Sequence, residues 1–93
     1  MSTNASFPYD PQSVPGARRF IREALSRWPN ETVEIAELMV SELATNCIRH
    51  AGTGFDLLVC TGEEIRVEVS DRGVGRPRVL TPQPTDPSGR GLR

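Results

Sequence analysis

The sequence predicts an α/β domain, a two-layer sandwich with helices on one face of a mixed, mostly antiparallel sheet. Apolar residues recur at helical spacing over residues 14–28 and again from Glu31 to about Ala51. Two strand patterns follow, Phe55–Cys60 and Ile65–Ser70, joined by a turn at residues 61–64. Amphipathic helices and a hairpin can bury their apolar sides by packing as two layers.

Length and composition limit the class of protein. A chain of 93 residues accommodates one domain. Its 37% hydrophobic and 25% charged residues are typical of a soluble globular protein rather than a disordered one. A net charge of −1 argues against direct binding to nucleic acid. The sequence has neither an apolar run long enough to span a membrane nor a signal-peptide pattern.

The two cysteines indicate a reducing compartment. Cys47 and Cys60 are too few for a disulfide scaffold, and their spacing does not fit a zinc site. Both lie in apolar runs, which predicts buried free thiols. We therefore expect a cytoplasmic protein.

Proline and serine residues in the N-terminal part predict an edge strand and the start of the first helix. Residues 1–5 are predicted to be a disordered tail, and Ser6–Asp10 a short edge strand, because Pro8 is tolerated only at a sheet edge. Ser13 is the expected N-cap of the first helix, with Pro15 in its first turn, where a missing N–H costs nothing.

The second helix has clear boundaries. Pro29 ends the first helix and Asn30 is predicted to cap the second. Gly52 and Gly54 are predicted to end it. Its apolar stripe consists of Val33, Ala36, Met39, Val40, Leu43 and Cys47.

The composition changes after Asp71. Residues 76–88 contain four prolines and almost no apolar periodicity. This segment is therefore predicted to be a mobile loop.

One candidate for chemistry lies on the second helix. Glu42 and Asn46 are four residues apart, so both side chains emerge on the same side of the helix, at the rim of the apolar stripe. A carboxylate can act as a general base, and an amide oxygen is a suitable ligand for Mg²⁺. Taken alone, the pair is better explained as a solvated glutamate and an asparagine near a helix end.

A second candidate directly follows a strand. Asp71 can accept a hydrogen bond from an exocyclic amine, while Gly73 and Gly75 let the backbone approach a planar ligand closely. The alternative is a simple turn.

A third candidate is the glycine-rich segment 88–92. Gly89 and Gly91 flank Arg90. Backbone N–H groups of such a segment can hold phosphate when a helix follows. The alternative is a disordered tail.

Taken together and in this order, these features resemble the GHKL (Bergerat-fold) ATPases, and most closely the bacterial anti-sigma-factor serine/threonine kinases. The resemblance covers about residues 6–93. The N-terminal segment is similar in DPQSV and ARRFIREAL, the N box in SELATNCIRHA, the G1 box in VEVSDRGVG and the G2 box in SGRGL.

The resemblance implies a role for each matching residue. Glu42 would be the catalytic base, and Asn46 would ligate Mg²⁺ bridging the phosphates of ATP. Asp71 would accept from the adenine amino group. The remaining matches would bind nucleotide: Gly73 and Gly75 at the adenine, Gly89 and Gly91 at the phosphates, with residues 76–88 as the ATP lid.

The resemblance also implies a function. The chain would bind Mg-ATP, phosphorylate a serine or threonine on an anti-sigma-factor antagonist, and control a sigma factor without contacting nucleic acid or membrane. Family members commonly form dimers, so the resemblance also allows a homodimer. Pro87 stands where related kinases carry an arginine before the G2 box, and Arg90 would then supply the positive charge. The alternative is a non-catalytic ATP-binding switch or a protein-interaction module.

The family fold continues past the G2 box with a helix and further strands. We therefore expect a single domain, 1–93, that is incomplete at its C-terminus, with the two strands of the hairpin lacking neighbours. His50 is predicted to interact with the end of its helix rather than to take part in catalysis.

Overall fold

Two helices lie on one face of a four-stranded sheet in the computed structural model, which describes residues 1–72 and 77–82. This confirms the predicted α/β sandwich. The strand pairs within the described residues are all antiparallel, so the mixed character expected of the sheet is not found there.

The elements follow one another in a simple order. Strand β1 is followed by helices α1 and α2, a short π-helix, and strands β2, β3 and β4, and the sheet has the order β1-β2-β3-β4. Their bounds are Ser2–Phe7 for β1, Ser13–Ala24 for α1, Asn30–Asn46 for α2, Cys47–Ala51 for the π-helix, Phe55–Thr61 for β2, Ile65–Asp71 for β3 and Arg78–Leu80 for β4.

The disordered tail predicted for residues 1–5 is wrong. Strand β1 pairs with β2 from Ser2 opposite Cys60 to Phe7 opposite Phe55. The predicted strand Ser6–Asp10 overlaps β1 only at its first two residues. The sequence of β1 has no apolar alternation, because most of the strand is exposed at a sheet edge and is held by backbone pairing to a distant segment.

Both helix starts differ from the predicted caps. Gln12, not Ser13, occupies the N-cap position of α1, and the Ser13 hydroxyl instead donates to the Pro8 carbonyl at 2.7 Å. Asp10 organises this start, since its carboxylate accepts from the Gln12 amide and its carbonyl from the Ser13 amide, each at 2.8 Å. At α2 the N-cap is Pro29, and Asn30 is already helical.

The core lies between the helices and the sheet. The inward positions of β2 and β3 alternate with half-buried or exposed ones, an alternation that the sequence predicted for β3. Phe7 joins the helix layer to the sheet, because its ring stacks on Phe55 at 5.2 Å and meets Phe20 edge-on at 6.2 Å. The largest fully buried side chains are Phe55, Ile21, Leu25, Leu57, Val40, Val59 and Val67.

The hairpin strands do have neighbours, contrary to expectation. Strand β2 pairs with β1, and β3 pairs with β4, with Val67 opposite Leu80. Part of the predicted loop 76–88 is therefore a strand, because Leu80 packs against the apolar core. Residue 76 and residues 83–88 of that loop lie outside the described residues.

Candidate functional site

The end of α2 changes its winding where the candidate site begins. The Gly52 amide donates to the Cys47 carbonyl, which closes a turn wider than that of an α-helix. Gly52 has a φ of 68°, a left-handed conformation that glycine adopts without strain. Asn46 and Ala51, five residues apart on either side of this turn, line the same cleft. The sequence predicted an unbroken α-helix here, because single π-turns have no apolar periodicity of their own.

A cleft of about 190 Å³ opens between this helix end and the sheet. Asn46, at the end of α2, and Asp71, at the end of β3, both line it. The structure thus brings together two residues that the sequence analysis selected separately. The other described lining residues are Leu43, Cys47, His50, Ala51, Val69 and Arg78.

Glu42 lies beside this cleft rather than in its lining. It is exposed and lines a second, more open depression together with Ser41, Thr45 and Asn46. Asn46 is shared by the two, so the predicted amide connects the predicted base to the Asp71 cleft. The buried Ser41 hydroxyl oxygen has no hydrogen-bond partner among the described residues.

Local charges in the cleft act on Cys47. Burial raises the pKa of its thiol, the nearby Asp71 carboxylate raises it further, and the Arg78 guanidinium partly opposes them. A carboxylate and a guanidinium therefore both lie within electrostatic reach of one thiol in the lining of the cleft. The prediction that Cys47 is buried is confirmed, whereas Cys60 is half-buried.

The backbone around Gly54 fixes the end of the sheet that presents Asp71. The Arg72 amide donates to the Gly54 carbonyl at 3.2 Å, directly after Asp71. A Cβ atom on Gly54 would lie 2.3 Å from the Phe7 carbonyl oxygen, so only glycine fits between β1 and the start of β2. This close approach anchors the strand ends next to the cleft.

Two cleft residues were missed as site residues by the sequence analysis. Arg78 lines the cleft from β4, opposite Val69 of β3. His50 lines it from the π-helix. The cluster of basic residues after position 71 was a signal for Arg78, but nothing in the spacing of His50 distinguished it from a histidine at a helix end.

The remaining predicted site residues lie outside the described residues. They are Gly73, Gly75, Gly89, Arg90 and Gly91. The roles assigned to them from the resemblance are therefore still predictions.

The side chains around the cleft suit a metal ion that is held mainly by the phosphates of a bound substrate and only partly by the protein. Within residues 1–72 and 77–82, no three His, Cys, Asp or Glu residues are grouped so as to hold a metal ion. Mg²⁺ commonly takes one or two protein oxygens and completes its shell with substrate phosphates and water. The exposed amide of Asn46 at the cleft fits that pattern.

Comparison with known families places the chain in one of them. The model of the histidine kinase-like ATPase domain family matches residues 7–93 of the chain. The chain belongs to this family. Searches of curated proteins and of solved structures gave no significant match.

Membership in the histidine kinase-like ATPase domain family agrees with the observed helices on one face of a sheet. It also supports nucleotide binding as the general property of the chain. Among the described helices, none combines the length and apolar character needed to cross a membrane.

Proposed function

We propose that this histidine kinase-like ATPase domain is an Mg-ATP-dependent regulatory kinase of the anti-sigma-factor type. It phosphorylates a serine or threonine on an antagonist protein and thereby controls a sigma factor. The proposal is carried by one observation, the presence of Asn46 and Asp71 in the same cleft with Glu42 one helical turn away. The partner classes come from the resemblance of the sequence motifs.

The cleft size suits the base of the nucleotide. Sites that enclose a whole drug-sized ligand usually measure about 300–1,000 Å³. The described cleft, at about 190 Å³, is large enough for one part of such a ligand. In the proposal the adenine enters it, and the Asp71 carboxylate accepts a hydrogen bond from the exocyclic amine.

The face of α2 that carries Asn46 suits the phosphates of the nucleotide. Asn46 lies at the boundary between the cleft and the Glu42 depression. In the proposal its amide oxygen ligates Mg²⁺ where the nucleotide passes from the adenine to the phosphates. Mg²⁺, when bound, neutralises charge on the phosphate oxygens. Arg78 adds a positive side chain at the lining of the cleft.

The transfer step requires a base outside the adenine cleft. Glu42 is exposed in the open depression, where a serine or threonine hydroxyl of another protein can approach it. It accepts the hydroxyl proton as the oxygen forms a bond to the γ-phosphorus and the bond to the ADP oxygen breaks.

A second candidate function is an ATP-binding switch without turnover. The observation that favours it is the position of Glu42 outside the lining of the cleft that contains Asn46 and Asp71. Binding would then order the site and change the surface offered to a partner, with no proton transfer.

Calorimetric titration of Mg-ATP tests nucleotide binding first. We expect saturable heat for the wild type and a loss of affinity of at least about tenfold for Asp71→Asn, because a hydrogen bond to a charged group contributes about 1.5–3 kcal/mol. Asp56→Asn is the matched control, since Asp56 lies outside the lining of the cleft. Equal affinity for all three proteins, or no binding at all, would contradict the proposed site.

Transfer of the γ-phosphate to a candidate antagonist then separates the two functions. The kinase predicts a phosphorylated serine or threonine in the antagonist. The switch predicts intact ATP and an unmodified antagonist at saturating nucleotide.

A further inference from the structure

The outer face of α2 carries a row of side chains that runs straight along the helix. The row consists of Glu31, Ile35, Leu38 and Glu42, whose spacing of four, three and four residues places them on one side. It therefore has a carboxylate at each end and two aliphatic side chains between them. Glu42, the base in the proposed function, lines the open depression where the row ends.

The apolar part of this row is not used by the core. Leu38 is 62% exposed although it lies in the middle of a helix. Ile35 and Met39, one turn apart on either side of it, are half-buried, but among the described residues neither packs against the buried core. Neighbouring apolar side chains with a polar rim are typical of a surface that contacts another molecule. We call the row together with Met39 the Leu38 surface.

The charges at the two ends of the Leu38 surface decide which partner fits it. Neither Glu31 nor Glu42 forms an ion pair within the part of the chain that the structure describes. A second copy of the chain would place carboxylate against carboxylate, whether the two helices met parallel or antiparallel. Like charges oppose association, whereas a segment with a basic residue beside apolar ones complements both parts of the surface.

We propose that the Leu38 surface docks the substrate segment of the protein that the chain phosphorylates, and that this segment combines apolar residues with arginine or lysine. The inference rests on the proposed kinase function, because it takes Glu42 as the base that meets the acceptor hydroxyl. It adds the substrate class, a basic and apolar segment that runs along α2 towards the phosphates of the nucleotide.

The geometry of the helix sets the spacing within this segment. Since a helix rises about 1.5 Å per residue, Leu38 lies about 6 Å and Glu31 about 16 Å from Glu42 along the axis. An extended chain covers about 3.3 Å per residue. A segment with its acceptor hydroxyl at Glu42 therefore places an apolar residue about two positions away and a basic residue about five positions away.

Fluorescence anisotropy with synthetic peptides tests docking on the full chain without nucleotide. The probe is a labelled peptide with one serine, a leucine about two positions from it and an arginine about five positions from it, made in both chain directions. Leu38→Ala should weaken binding at least about fivefold, because most of the apolar contact is lost. Tyr9→Ala, at a residue that is 63% exposed, is the control and should bind like the wild type. The proposal is overturned if the wild type binds neither peptide, or if Leu38→Ala and Tyr9→Ala bind equally well.

A charge swap tests the end of the surface at Glu31. Glu31→Arg should weaken binding of the arginine peptide at least about fivefold, and a peptide with glutamate in place of that arginine should bind the variant better than the wild type. Glu63→Arg changes the net charge equally, on the turn between β2 and β3, and should alter neither affinity. Lack of rescue by the glutamate peptide, or the same effect from Glu63→Arg, would overturn the proposed orientation of the segment along α2.

Transfer of the γ-phosphate to the serine of the bound peptide distinguishes this inference from the kinase function on which it rests. Peptide binding that depends on Leu38, without any transfer from Mg-ATP, would support the docking surface and contradict the kinase. Transfer with the same KM for the peptide in the wild type and in Leu38→Ala would support the kinase and overturn the docking surface.

Discussion

Asn46 and Asp71 line the same cleft, the first from the last residue of α2 and the second from the last residue of β3. The helix and sheet layers therefore end together at one side of the molecule. An amide and a carboxylate at this junction can bind two ends of one ligand, and the consequences are open to direct measurement.

Cys47 should be modified slowly by thiol reagents, and its rate should rise only at a pH above the range of an ordinary thiol. Burial and then Asp71 raise its pKa, so the reactive thiolate is scarce near neutral pH. Asp71→Asn should increase the Cys47 rate at a fixed pH. The measurement is alkylation followed by peptide mass mapping, with the half-buried Cys60 as internal reference. If Asp71→Asn left the rate of Cys47 modification unchanged, the Asp71 carboxylate would not be acting on the pKa of the Cys47 thiol.

Glu42→Ala should leave Mg-ATP affinity within about twofold and reduce phosphoryl transfer to the antagonist by about 10²-fold or more. Glu42 is outside the lining of the cleft, and loss of a general base typically costs about 10²–10⁴-fold in rate. Glu34→Ala, also on the exposed surface of α2, is the control. Transfer that survives Glu42→Ala would remove Glu42 from its proposed role.

Gly54→Ala should destabilise the fold by about 1–3 kcal/mol or more, because the new Cβ would overlap the Phe7 carbonyl oxygen. Gly62→Ala is a matched control, since no atom lies within 4 Å of a Cβ at that position. Urea denaturation monitored by circular dichroism compares the two. Equal urea midpoints for Gly54→Ala and Gly62→Ala would mean that the backbone of β1 does not lie in close contact with Gly54 in solution.

Asp56→Asn should make the free energy of unfolding decrease less steeply as the pH falls. A hydrogen bond from the Ser6 hydroxyl is the main cause that holds the pKa of Asp56 below its usual range; burial opposes it, and the Arg72 guanidinium lowers the pKa further. A carboxylate with a lowered folded pKa stabilises the fold above its unfolded pKa of about 4, and this contribution is lost as pH falls through the folded value. The group is exposed, so the expected size is below about 1 kcal/mol and decreases with salt. Unfolding free energies between pH 6 and 3, with Glu63→Gln as control, measure it.

The sequence predicted the parts of the fold that repeat an apolar pattern. The stripe of α2 and the alternation of β3 bury Val40 and Val67 as expected, because periodicity records which face meets the core. The family resemblance assigned Asn46 and Asp71 to one ligand, but no local rule places the end of a helix beside a particular strand, so their shared cleft came from the structure.

Strand β1 and the π-turn have no local signature in the sequence. Strand β1 is mostly polar, and its place in the sheet depends on pairing with β2 far along the chain. The π-turn at Cys47–Ala51 differs from an α-helix by one residue in its hydrogen bonding, which leaves the residue pattern unchanged. Arg78 becomes a cleft residue only because β4 pairs with β3.

The pairing of β1 with β2 has a consequence for the order of folding. The β2–β3 hairpin is local, whereas β1 can pair only after the chain has closed a loop from Met1 to Thr61. Such closure costs entropy before any contact compensates it, so β1 is expected to dock late. During synthesis, β1 leaves the ribosome before β2 and must therefore remain unpaired until β2 has followed it.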